Sequence, residues 1–207
     1  MKYVAWVAFS VAFAFVLSVP SFAQEFSADV ISRTADGKVS RSKLYQTSDK
    51  ERFDSIVQLE AGKAIETHMI IDRRSKLIYL IEPQQKTILV NHVLQLAGNA
   101  AASSSSSANP CGQLMQMVNP MVVKQQFVCK QVGHESVNGR SAEKWQMESA
   151  WLGNGPAFLW VDSQVKTAVK WTLADGSSGE LQNIKVGAQP ASLFDLPADY
   201  RRQDLPH

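Results

Sequence analysis

From Phe26 onward, apolar and polar residues alternate with period two in short runs, broken by turn residues about every ten positions, a pattern that predicts an antiparallel meander. Phe26, Ala28 and Val30 alternate with Ser27 and Asp29. Asp36-Gly37 supplies a tight hairpin turn, because both residues tolerate the positive φ that two-residue connections need. Strands over 39–45 and 52–59 follow, separated by Thr47-Ser48-Asp49-Lys50. Beyond Ala61-Gly62-Lys63 come strands over 65–71, 77–81 and 87–90. Pro83 marks a turn between the last two, since it cannot donate to a ladder.

Between Asn91 and Pro120 the period changes. Val93, Leu96 and Ala97 fall at i, i+3 and i+4, as do Leu114, Met117 and Val118, so two short amphipathic helices are predicted. Residues 99–109, rich in Ala with five consecutive Ser, have nothing to bury and read as a flexible tether or a plain surface loop. Strands resume over 122–132, ending at Gly133, and over 141–149, 157–161, 165–173 and 179–186. Asn138-Gly139, Gly153-Asn154-Gly155-Pro156 and Asp175-Gly176 turn between them. About ten or eleven strands result. A sheet of that width curls as its twist accumulates, so the expected fold is mainly β (α+β): a curled antiparallel sheet forming an incomplete barrel with a short helical lid.

The N-terminus has a different character. Lys2 precedes an apolar stretch over 4–17, interrupted only by Ser10, and small residues Ser21 and Ala23 stand just before Gln24, the pattern of a secretory signal peptide over 1–23 cleaved after Ala23. A retained membrane helix needs about 20 apolar residues. Here Ser18 and Pro20 break the run, and no basic residue follows until Arg33. The mature chain, 24–207, is expected to be one soluble domain, periplasmic or secreted, with no membrane span and no lipid anchor on cysteine.

Export gives the two cysteines a meaning. An oxidising compartment favours a Cys111–Cys129 disulfide, which would close a 19-residue loop and add about 3 kcal/mol of stability. A redox-active pair would instead show C-x-x-C at a helix start.

Composition excludes more than it names. The chain has 207 residues, 45% hydrophobic and 19% charged, with a formal charge of +2. It is too apolar for disorder, and its acids and bases are too evenly balanced for a nucleic-acid footprint. His68, His92, His134 and His207 stand apart, without the spacing of metal ligands. Gly176-Ser177-Ser178-Gly179 lacks the spacing of a nucleophile elbow. Gly153-Asn154-Gly155 runs into Pro156 rather than a third glycine, so no dinucleotide loop forms. No catalytic residue, metal or cofactor is expected.

Large side chains remain to be placed. Trp145, Trp151, Trp160 and Trp171 cluster in the C-terminal half, and Met115, Met117 and Met121 fall on or near the lid. Such residues either fill a core or line an adaptable apolar groove. Trp145, Trp160, Trp171, Met115 and Met117 are therefore the candidate ligand-binding residues.

Several stretches carry a family resemblance: the opening meander over 26–54; Ile70-Ile71-Asp72 leading through Leu77-Ile78-Tyr79-Leu80-Ile81-Glu82-Pro83 to Lys86-Thr87; Val132-Gly133-His134-Glu135-Ser136-Val137-Asn138-Gly139-Arg140 ahead of Lys144-Trp145; and the tail Ser192-Leu193-Phe194-Asp195-Leu196-Pro197-Ala198-Asp199-Tyr200. Together they resemble an uncharacterised family of exported bacterial proteins related to the periplasmic lipoprotein carrier of the Lol system. The resemblance implies an incomplete antiparallel barrel whose apolar concave face, covered by helices, takes up acyl chains. The serine-rich tether and the cysteine pair depart from that carrier. Three functions are open: a carrier or sensor of lipid, lipoprotein or another apolar ligand; a non-catalytic envelope-associated interaction module whose groove its own lid fills; and an envelope hydrolase, which would need a nucleophile and base converging in the groove. The first is the expected one.

Overall fold

The computed structural model describes residues 24–58, 64–92, 110–111, 128–148 and 155–205. Within them the alternating runs become twelve strands: β1 Phe26–Arg33, β2 Val39–Gln46, β3 Lys50–Gln58, β4 Ala64–Asp72, β5 Leu77–Glu82, β6 Thr87–His92, β7 Val128–Val137, β8 Arg140–Glu148, β9 Ala157–Asp162, β10 Ala168–Thr172, β11 Ser178–Val186 and β12 Arg201–Asp204. All twelve belong to one sheet in the order β12-β6-β5-β4-β3-β2-β1-β11-β10-β9-β8-β7. Two meanders, β1 to β6 and β7 to β11, are thus joined by the antiparallel pairing of β1 with β11. The sheet does not close into a barrel, as the expected curled, incomplete barrel requires.

Turn chemistry sets the hairpins. Asn138 and Gly139 both take positive φ, 50° and 77°, between paired Val137 and Arg140, the two-residue type I′ connection that only such residues adopt readily. Asp36-Gly37 differs from expectation. Thr34 N–H donates to the Lys38 carbonyl at 3.0 Å and Gly37 N–H to the Thr34 carbonyl at 2.9 Å, with Gly37 at φ 85°. Three residues therefore span this turn, with the glycine in the left-handed position that ends such loops.

Two strands depart from the sequence expectation. Gly133 does not end β7 but lies beyond a register shift between Gln131 and Gly133, so the glycine accompanies a bulge that lets the strand continue to Val137. β12 shows no alternation. Its four residues, Arg-Arg-Gln-Asp, are all exposed and pair with β6 in parallel, a charged edge of the kind that discourages further strand addition. The expected signal peptide over 1–23, the two lid helices, the 99–109 tether, Met115, Met117, Met121 and Trp151 lie outside the described residues.

Three cores hold the sheet. Phe26, Ala28 and Val30 of β1 pack with Leu44, Leu181, Val169, Val165, Trp160, Ala142 and Val137. Cys111, Met147, Ala157, Leu159 and Ala168 form a second core. Ile70, Ile81, Ile88 and Val90 form the third with Phe194, from a 3₁₀ turn at Ala191–Phe194. Cys111 and Cys129 are bridged, their Cα atoms 6.0 Å apart, as the export argument predicts.

Candidate ligand-binding face

Register in the N-terminal meander sorts its side chains cleanly, because directly opposed residues share a face and no register shift interrupts β1 to β6. One cross-strand row reads Ala28, Leu44, Phe53, Met69, Leu80, Leu89. Six strands thus contribute one apolar side chain each to a continuous stripe. Ala28 and Leu44 are buried, whereas Phe53, Met69, Leu80 and Leu89 are half-buried. Phe53 packs against the first core, but among the described residues Met69, Leu80 and Leu89 join none of the three cores.

The opposite face is sealed. Its row Tyr45, Arg52, Ile70, Tyr79, Val90 and the neighbouring Ile81 and Ile88 lie beneath Leu193, Phe194, Leu196 and Tyr200. The C-terminal segment is fastened by polar contacts as well. Arg52 donates to the Leu193 carbonyl and to Asp54 at 2.6 Å, and Lys86 pairs with Asp199 at 3.1 Å. Asp54 in turn meets His68 Nδ1 at 2.7 Å, with Glu66 3.5 Å from Nε2. Carboxylates face both ring nitrogens of this histidine, and through Asp54 and Arg52 the cluster is tied to the strap over the sheet.

Polar groups gather at one end of the open face. Gln46 shares the face of Leu44 and stands between Phe26 and Glu51. It is 6% exposed, and its Oε1 is buried without a hydrogen-bond partner among the described residues. Burial pushes the Glu51 carboxyl above its usual range, while the Arg73 guanidinium, bonded to it, acts in the opposite direction.

The sequence-predicted tryptophans divide between two faces. Trp145, Leu159 and Trp171 form one cross-strand row that continues through Gly179 to Ser32 of β1, which puts both rings on the face that carries Ala28 and Leu44. Trp160, adjacent to Leu159 in β9, leaves that strand on the other side and packs into the first core. Its ring is 5% exposed, with the ammonium groups of Lys170 and Lys144 at 4.6 and 5.0 Å from its centroid, and its indole N–H donates to Glu135 at 2.7 Å. Trp145 is half-buried, packs on the second core and donates to Glu143 at 3.2 Å. Trp171 lies across Gly179, where a Cβ would come within 2.1 Å of the ring. Only glycine allows that close approach. Cys111, fully buried with Met147 and Leu159 in the second core, is held on this same face by its bond to Cys129.

A separate open cavity of about 430 Å³ lies between the β7–β8 turn and β11, lined by Asn138, Arg140, Leu181, Gln182, Asn183 and Ile184. Arg140 there is committed to Asp162 at 2.6 and 3.1 Å and to Gln164 at 3.0 Å. Among the described residues no group of His, Cys, Asp and Glu is arranged to hold a metal ion, and no helix is long and apolar enough to cross a membrane. Sequence reasoning chose aromatic and methionine residues and missed the aliphatic stripe. Its signal was present in the alternation over 65–71, but alternation marks two faces without saying which stays open.

No protein-family model and no curated protein matches the chain. Solved structures do. PNGF-II superposes with a TM-score of 0.52 at 14% identity, over 88% of this chain and 31% of that one. MucB in the Pseudomonas aeruginosa MucA/MucB complex gives 0.48 at 16% identity, over 87% of this chain and 58% of that one. A LolA superfamily protein from Nitrosomonas europaea gives 0.34 at 8% identity, over 86% and 92% of the two chains. The superfamily that the sequence resembles is therefore among the matching structures. This chain spans less than a third of PNGF-II and under three-fifths of MucB. The PNGF-II superposition places the strand arrangement among known folds, and at such identity the likeness is one of fold alone.

Proposed function

We propose that the chain, from Gln24 onward, is an exported, non-enzymatic binding protein that holds an apolar ligand, a lipid or the acyl chains of a lipoprotein, against the face bearing Leu44, Phe53, Met69, Leu80 and Leu89. One observation carries the reading: Met69, Leu80 and Leu89 of this stripe are half-buried and outside every described core, while the other face of the same strands is sealed by Phe194 and its neighbours. Removing such a stripe from water is the dominant gain available to an apolar ligand, at about 25 cal/mol per Å². Trp145 and Trp171 lie on the same face and are proposed as its extension into the C-terminal meander. A second reading, the self-filled interaction module, draws support from Cys111, which the disulfide fastens to that face.

Mass spectrometry of the organic extract of natively purified protein separates the two. A carrier yields bound lipid, and delipidated protein titrated with a fluorescent fatty acyl probe shifts its Trp emission and melting temperature. Absence of extractable lipid, with emission and melting unchanged on titration, would transfer the assignment to the interaction module.

A further inference from the structure

We propose that the ligand carries a neutral hydrogen-bond donor, a hydroxyl or an amide N–H, beside its apolar chain, and that Gln46 Oε1 receives it. The inference rests on the reading of the Leu44 face as the ligand face and adds the chemistry of the ligand's head. Gln46 follows Leu44 by two residues in β2, so both side chains leave the sheet on one side, about 7 Å apart along the strand. Its row reads Phe26, Gln46, Glu51, Ile71, Ile78, Asn91, directly beside the row of Leu44, Phe53, Met69, Leu80 and Leu89. A chain lying on the second row therefore ends beside the glutamine.

Buried polar atoms are paired in roughly nine cases of ten, and an apolar side chain of similar volume would occupy this position without the cost of stripping an amide oxygen of water. Gln46 Oε1 is nonetheless buried and, among the described residues, unpartnered, on a residue 6% exposed. An amide oxygen can only accept. Its neighbour across the strand, Glu51, is bonded through Oε1 to Arg73 and makes no hydrogen bond to this oxygen. Two more cations at this end of the sheet are already matched: Arg74 faces Asp49 at 3.5 Å and Lys50 faces Asp72 at 3.7 Å. A fatty-acid carboxylate brought to this oxygen would set acceptor against acceptor, and the Arg73 guanidinium is already bonded to Glu51. The hydroxyl of a monoacylglycerol or the N–H of a fatty amide would supply the missing donor and bring no charge.

The test uses delipidated mature protein and four probes of one chain length, 1-monomyristin, myristamide, methyl myristate and myristate, each competing with N-phenyl-1-naphthylamine below its micellar concentration. The two donors should bind roughly tenfold tighter than the ester and the carboxylate, the value of one net hydrogen bond to a buried acceptor. Gln46→Leu should bring all four within about twofold by weakening the donors alone, and should not lower the melting temperature, since it removes an unpaired buried acceptor. Gln46→Met, closer in shape, repeats the measurement should leucine repack the site. Equal affinity for monomyristin and methyl myristate in the native protein, or the tenfold preference surviving in both variants, overturns the assignment of Gln46 and leaves the apolar face as the binding site. Failure of all four probes to bind overturns the carrier reading and this inference with it.

Discussion

Truncating Phe194 to alanine tests the asymmetry between the two faces on which the functional reading depends. The ring is 7% exposed and packs against Ile70, Ile81, Ile88 and Val90, with Leu193, Leu196 and Tyr200 closing around it. A buried Phe→Ala replacement costs about 3–5 kcal/mol, transfer and cavity terms together, and for a domain of this size each kcal/mol moves the melting temperature by roughly 2–4 °C. Phe194→Ala should therefore melt about 6–20 °C below the native protein. Leu80, half-buried on the opposite face and outside the described cores, keeps part of its surface in water. Leu80→Ala should cost on the order of 1–2 kcal/mol, about half or less of a full burial loss. Thermal and urea melts of both variants, run beside acyl-probe titrations, give the comparison. Phe194→Ala should lose stability and keep probe affinity within about twofold at a temperature where it is folded, since the ring lies on the opposite face of the sheet from the ligand and the two effects are independent. Leu80→Ala should weaken probe binding at a smaller cost in stability. If Leu80→Ala destabilises as much as Phe194→Ala, the Leu44 face is a filled core and the interaction-module reading holds. If instead Phe194→Ala abolishes binding with its melt unchanged, the ligand lies under the strap.

The disulfide and the acid limb of stability give two further expectations. Cys129→Ser should cost about 2–4 kcal/mol, because residues 18 apart in sequence lose their cross-link in the unfolded chain, and a thiol titration finding two reactive cysteines in native exported protein would refute the bridge. Asp162 is pulled in two directions: burial would raise its carboxyl, yet hydrogen bonds from Arg140 and from the Val165 and Gln164 backbone N–H groups hold it below its ordinary 3.8. With the folded value depressed, its stabilisation is present above the unfolded value and lost as pH falls through the folded one. Glu51 has the opposite sign, its contribution being full below the ordinary value of 4.5 and lost as pH rises through its raised folded value. Asp162→Ala should thus cost about 3–5 kcal/mol at neutral pH by leaving Arg140 unmatched, and should flatten the loss of stability in urea melts between pH 5 and about 2; an unchanged acid limb would show that the pair does not govern it.

Strand placement was largely legible because period-two alternation and turn residues are local signals. Asn138-Gly139 specified its two-residue turn through the positive φ both residues take. Gly133 misled for a physical reason: the same residue type that ends strands also sits at bulges, and the distinction depends on whether a partner strand continues past it, as β8 does here. β12 was invisible to periodicity. Four polar, exposed residues have no apolar face to alternate, and they become a strand only because the Leu193 to Tyr200 segment carries them to the edge of β6.

The candidate site was harder to read than the fold, since alternation assigns residues to two sides but leaves open which side the rest of the chain covers. Ile70 and Met69 are neighbours in β4 with equal apolar claims, yet Ile70 is sealed under Phe194 and Met69 is not. The deciding residue lies more than a hundred positions away, in a turn whose sequence alone promises no contact. Choosing tryptophans by size failed to separate Trp160 from Trp145 and Trp171 for the same reason, as one strand step puts Trp160 on the opposite side from Leu159. What size cannot show, an unmatched polar atom can: a glutamine placed in phase with Leu44 is an exception to the alternation that a core would not favour. Its place between Phe26 and Glu51, two residues past Leu44, follows from register, and register is set by turns over the whole meander rather than by any stretch around Gln46.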